Sequence, residues 1–172
     1  MIWLLKIITE CLSWRKMPGC GKSSLGQIIA DKTGRNFLDT DNMITESEGR
    51  TPASIIEKDG EKSFRSIEAS VVSNAGKQSG YVIATGGGVV TQRENFNALR
   101  QNGVIVFINR SPEFLVSDNR PLSGEIVIRR NLYKTRLPFY REICDIEIDG
   151  DGSITEAADK LIYELKHTGF DI

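Results

Sequence analysis

The residues Gly19-Cys20-Gly21-Lys22-Ser23 carry the most specific chemistry in the chain. A polyphosphate needs several backbone N–H donors converging on it, and a chain bends back that tightly only where Cβ atoms are missing, as at Gly19 and Gly21. A helix starting near Lys22 would aim its positive end at the phosphates. Lys22 supplies a point charge for the β and γ phosphates, and the Ser23 hydroxyl can ligate Mg²⁺, with Cys20 and Ser24 completing the nucleotide-binding set. The full spacing of such a loop is G-x-x-x-x-G-K-[ST], and Lys16 stands where its first glycine belongs. If that position needs a positive φ, a residue with a Cβ costs ~1–2 kcal/mol there. Gly-Lys-Ser also occurs in plain turns, so its context has to decide.

Downstream, Phe37-Leu38-Asp39-Thr40-Asp41 places two carboxylates two residues apart at a strand end. One can turn toward a metal and the other toward a cleft. Asp39 with Ser23 suits a phosphate-bound Mg²⁺, which takes one or two carboxylates, often through water. Asp41 could accept a proton from a substrate hydroxyl. The bland alternative is a solvated strand terminus. Arg65 and Glu68 lie on adjacent turns of one helix, either as a surface ion pair of small consequence or as an arginine held by its own carboxylate and aimed at an anion. Gly86-Gly87-Gly88 follows an apolar run. Three glycines cost backbone entropy, which points to a ligand approaching the main chain closely. Arg120 falls in a polar, proline-containing stretch and Arg136 on a long helix; each alone is an ordinary exposed charge.

Strands alternating with helices must position these groups. The pattern predicts a first strand at Ile8–Trp14, with residues 1–7 as an extra leading segment. A helix from Lys22 ends at Gly34, and a short strand covers Asn36–Asp39. A polar helical region from Asn42 to Asn74 is punctuated by Gly49, Pro52 and Gly60. Tyr81–Thr85 and Val104–Ile108 read as strands buried on both faces. Thr91 with Glu94 and Ser153 with Glu156 have the spacing of capping boxes, and Gly103 is placed to end the helix that Thr91 opens. Residues 111–123 read as a lid loop, followed by a helix to Arg141 that Pro138 bends or breaks, a strand at Ile146–Asp149 and a final helix. Such an order predicts a single α/β domain over residues 1–172, a parallel sheet with helices on both faces and ligands at the carboxyl ends of the strands.

Composition narrows the functions. A net charge of −1 over 172 residues leaves no footprint for nucleic acid or an anionic membrane. Three scattered cysteines and one histidine argue against a zinc site or disulfide framework and for a cytoplasmic setting. The apolar N-terminus, broken by Lys6 and Glu10, is too short to span a membrane.

Taken in order, M-P-G-C-G-K-S, F-L-D-T-D, F-R-S-I-E, the triple glycine after a strand, N-R-P-L and R-L-P-F-Y-R-E resemble the shikimate kinases, from about Met17 to Leu165. The resemblance implies a small three-layer P-loop kinase with a five-stranded parallel sheet. Such a monomeric enzyme would transfer the γ-phosphate of ATP to the 3-hydroxyl of shikimate, with Mg²⁺, in aromatic amino-acid biosynthesis. Lys22 would then bind phosphate, and Ser23 and Asp39 would hold Mg²⁺. Asp41 would meet the reacting hydroxyl, and Arg65, Arg136 and Gly86–Gly88 would fix shikimate. Arg120 would close over the nucleotide and act in catalysis. Two other readings stay open: a related kinase for another small hydroxy or sugar acid, and an impaired or non-catalytic nucleotide-binding module, which Lys16 and a short lid would favour.

Overall fold

Val104–Ile108 sorts its side chains by parity. Val104, Val106 and Ile108 enter one apolar cluster, while Ile105 and Phe107 enter another on the opposite side. A strand with this pattern has no solvent face and must lie inside a sheet covered on both sides. The computed structural model describes residues 4–9, 22–101, 103–110 and 123–168. There this run forms β4 (Gly103–Asn109), which pairs in parallel with β1 (Leu4–Thr9) and β5 (Ile146–Asp149). β3 (Tyr81–Thr85) pairs with β1 on its other side and with β2 (Asn36–Asp39) beyond. The described residues thus form a five-stranded sheet of order β2-β3-β1-β4-β5, parallel throughout.

One face is covered by α1 (Lys22–Thr33) and α7 (Ile154–His167), through Leu25, Ile29, Ala158 and Leu161. The polar region after β2 divides where its sequence punctuation predicts, into α2 (Thr40–Glu48), α3 (Pro52–Asp59) and α4 (Glu61–Gly76). Gly49 closes α2 in the left-handed conformation, at φ 63°, which a residue with a Cβ adopts only with strain. Thr51 then caps α3, whose first residue is Pro52. The other sheet face is covered by α4, α5 (Glu94–Arg100) and α6 (Ser123–Ile143), through Val72, Phe96, Leu99, Tyr140 and Ile143. Helix α6 runs on through Pro138 to Ile143.

Three expectations are corrected. The first strand is not Ile8–Trp14. It forms at Leu4–Thr9, so residues 4–7 belong to the middle of the sheet and not to an extra leading segment. Residues 10–14 of the expected strand lie outside the described residues. Thr91 does not cap α5: its hydroxyl donates to the Gly88 carbonyl at 2.7 Å inside a short 3-10 turn, Val89–Thr91, and the N-cap position falls on Arg93. Gly103, expected to end a helix, opens β4. The second capping box does form. Ser153 Oγ accepts from the Glu156 N–H at 3.2 Å, and the Glu156 carboxylate accepts from the Ser153 N–H at 2.8 Å.

Candidate active site

Parallel strands bring their carboxyl ends to one edge, and β2 and β3 deliver Asp39 and Gly86 there. Asp39 is the last residue of β2 and the N-cap of α2, so the chain turns from strand to helix without a loop. Its Oδ1 accepts from the backbone N–H of Asp41 at 2.9 Å and of Asn42 at 3.4 Å. Its Oδ2 accepts from the Ser23 hydroxyl, in the first turn of α1, at 2.5 Å. Asp39 is only 5% exposed, and these donors hold its carboxylate in a fixed orientation. A hydroxyl and a carboxylate side by side are hard oxygen donors, the kind magnesium takes. Among the described residues no group of three or more histidine, cysteine or acidic side chains could hold a metal alone. A cation at this pair would therefore draw its other ligands from phosphate and water.

A second group faces the triple glycine. Arg65, on α4, donates from Nη1 to Glu68 Oε2 at 2.6 Å, and from Nε and Nη2 to Glu61 Oε1 at 3.3 and 3.0 Å. Its guanidinium also lies 5.1 Å from the centre of the Phe64 ring. Glu68 is 2% exposed. Burial pushes its carboxyl above the ordinary range, Arg65 pulls it down, Asp41 pushes it up and Arg136 pulls it down. For Arg65, burial works against the charged form, but Glu68 and Glu61 outweigh it and hold the guanidinium protonated. The pair is thus neither a solvated surface bridge nor isolated: Asp41 and Arg136 share its field.

The glycines are where this group needs missing side chains. A Cβ on Gly88 would lie 2.2 Å from Arg65 Nη1, and one on Gly86 would lie 3.1 Å from Asp41 Oδ1 and 3.5 Å from Glu68 Oε1. Each carbonyl of the turn accepts from the protein. Gly86 takes the Val89 N–H at 3.1 Å, Gly87 the Tyr140 hydroxyl at 2.5 Å, and Gly88 both the Thr91 N–H at 3.0 Å and the Thr91 hydroxyl. The peptide planes are therefore set before any ligand arrives.

The structure brings together Ser23, Asp39, Asp41, Arg65, Gly86, Gly87, Gly88 and, through its influence on Glu68, Arg136. Ser24 is exposed in the first turn of α1, and Lys22 opens that helix. Gly19, Cys20, Gly21, Arg120 and most of the expected lid lie outside the described residues. Two participants escaped the sequence reading. Glu61 is a second carboxylate on Arg65, and its i−4 spacing was a legible signal. Tyr140 reaches Gly87 across 53 residues of sequence, and no local pattern announces that contact.

The arrangement has two ends. Ser23 and Asp39 offer hard oxygens beside a helix N-terminus, suited to a metal–phosphate group. Arg65, Asp41 and the glycine turn offer a cation, a carboxylate and close backbone approach, suited to a small acid bearing hydroxyls.

The chain is similar to known proteins. Residues 18–166 match the family model "Shikimate kinase". A shikimate kinase of Caldicellulosiruptor bescii is 40% identical over 155 residues, 84% of this chain and 88% of the relative. One from Clostridium botulinum (strain Alaska E43 / Type E3) is 38% identical over 157 residues, 87% of this chain and 91% of the relative. Among solved structures, shikimate kinase from Acinetobacter baumannii in complex with shikimate superposes with a TM-score of 0.86 at 28% identity, covering 99% of this chain and 96% of that one.

Proposed function

The chain belongs to the shikimate kinase family, and from that premise we propose that it transfers the γ-phosphate of ATP to the 3-hydroxyl of shikimate. It is an ATP-dependent small-molecule kinase. The observation that carries the substrate assignment is the convergence of Arg65, Glu68 and Asp41 on Gly86 and Gly88, beside the Ser23–Asp39 pair.

Arg65 and Arg136 bind the shikimate carboxylate. Arg65 enters the task already oriented by two carboxylates, so little side-chain freedom is lost on binding. The Gly86–Gly88 turn lets the ring approach the main chain. Asp41 faces the reacting hydroxyl and accepts its proton as the phosphoryl group transfers. At the other end Gly19, Cys20, Gly21 and Ser24 contribute to the phosphate cradle, while Lys22 and Arg120 offset charge on the transferred group. Ser23 and Asp39 are the residues that would hold Mg²⁺, which neutralises phosphate charge when bound. Phosphoryl transfer asks mainly for positioning and electrostatic stabilisation, and the two ends supply those separately.

We assign the protein to the cytoplasm as a monomer acting on small molecules. Among the described residues no helix is long and apolar enough to cross a membrane.

The test is ADP release from MgATP with and without shikimate, on the parent chain and on Lys16→Gly. Shikimate-dependent release by the parent is expected. Release stimulated by another hydroxy acid but not by shikimate would overturn the substrate assignment. Release only from Lys16→Gly would favour the impaired-loop reading.

A further inference from the structure

Among the described residues Tyr140 is the largest fully buried side chain, with 0% exposure, and its ring stacks on Phe107 of β4 at 4.7 Å between centroids and 8° between planes. Packing alone would be served as well by phenylalanine. The hydroxyl instead crosses to the triple glycine and donates to the Gly87 carbonyl at 2.5 Å. A buried tyrosine hydroxyl needs a partner, and here the partner is the middle peptide of the turn that faces Arg65, Glu68 and Asp41.

The neighbouring carbonyls are held locally, Gly86 by Val89 and Gly88 by Thr91. The Gly87 carbonyl is held by a different element, α6, and that helix also carries Arg136 one turn before Tyr140. Residues four apart share a helix face. This hydrogen bond orients the Gly87 peptide and, together with the packing of Val89 and Val90 against Tyr140 and Ile143, ties the glycine turn to the part of α6 that bears Arg136.

We propose that Tyr140 is a positioning residue for the acid substrate, acting through the Gly87 carbonyl on both the glycine turn and Arg136; this role presupposes the shikimate kinase reading. Tyr140→Phe keeps the ring, nearly all of its volume and its stack on Phe107, and removes the hydroxyl that donates to Gly87. The Gly87 carbonyl then has no donor from α6, and the link between the turn and the part of α6 that bears Arg136 is loosened.

The experiment is steady-state kinetics of Tyr140→Phe with each substrate varied in turn. Ile143→Val, in the same apolar cluster and on the same helix, serves as the control for lost stability. Expected for Tyr140→Phe is a rise of about 10-fold in the shikimate KM, since small misplacements of positioning groups cost that much or more, with the ATP KM nearly unchanged. Ile143→Val should lower Tm while leaving the shikimate KM alone. An unchanged shikimate KM in Tyr140→Phe, or an equal rise in Ile143→Val, overturns the proposal. The thermal shift induced by shikimate, read on parent and Tyr140→Phe, tests the same point without turnover: a weaker shift in the variant supports the role, and an equal shift overturns it. If the parent itself neither turns over nor binds shikimate, the substrate reading falls and Tyr140 with it; if the parent is active and Tyr140→Phe matches it, only the role of Tyr140 falls.

Discussion

Gly88 and Arg65 divide one small space between them. The backbone of Gly88 has φ −80° and ψ −10°, a conformation alanine adopts without strain, so the glycine is not there for the turn. Its missing Cβ leaves room for the Arg65 guanidinium, which would otherwise stand 2.2 Å away. Gly88→Ala should therefore lower Tm, because the displaced guanidinium leaves the buried Glu68 carboxyl without its partner. It should raise the shikimate KM by on the order of 10-fold or more, since Arg65 must leave its position between Glu68 and Glu61. A normal shikimate KM would show that Arg65 is not the substrate's carboxylate ligand. Glu68 gives a prediction in pH. Burial is the largest influence on its carboxyl and raises it above the ordinary 4.5, against the pull of Arg65. The folded state thus holds that proton more tightly than the unfolded chain. The corresponding stability is fully present below the unfolded value and is lost as pH rises through the folded one. Urea unfolding of the parent and Glu68→Gln across that window should show the parent losing stability relative to the variant as pH increases. Parallel curves would mean that the carboxyl is not raised.

At the scale of elements, legibility followed how local the determining interaction is. Ser153 and Glu156 make a reciprocal cap within four residues, and the spacing alone announces it. Thr91 and Glu94 have the same spacing and make none, because Thr91 is drawn into the turn that follows the triple glycine. A local motif lost there to a neighbouring one. The boundaries of α2, α3 and α4 were legible because Gly49, Pro52 and Gly60 act through their own backbones. The Arg65–Glu68 pair was legible as a spacing but its burial was not, since burial depends on what α4 packs against. The capping box allows a test that separates structure from site. Ser153→Ala should lower Tm by about 2–4 °C, as loss of a helix cap in a domain of this size does, and leave both KM values untouched. A change in either KM would tie the start of α7 to the site.

Over the whole molecule, the alternation of strands and helices was enough to predict a parallel sheet and the edge at which its ligands gather, and the observed order β2-β3-β1-β4-β5 puts Asp39 and Gly86 on that edge. What the pattern misplaced was the strand at the centre. Lys6 and Glu10 interrupt the apolar run, and its pattern alone does not say which of its residues the sheet takes. The sheet instead takes Leu4–Thr9, which lies outside the 18–166 region matched by the family. Two neighbours fix the choice: β1 pairs with β3 from Leu5 to Ile8 and with β4 from Leu4 to Thr9. Proline at Ile7 decides between the two placements. In a central strand it removes a ladder hydrogen bond and should destabilise the fold by on the order of 3 kcal/mol, read as an early midpoint in urea. Had the strand begun at Ile8, position 7 would precede it, where proline is tolerated. A midpoint equal to the parent's would therefore move the first strand toward the phosphate loop, whereas a large loss would make residues 4–9 part of the frame that carries the site.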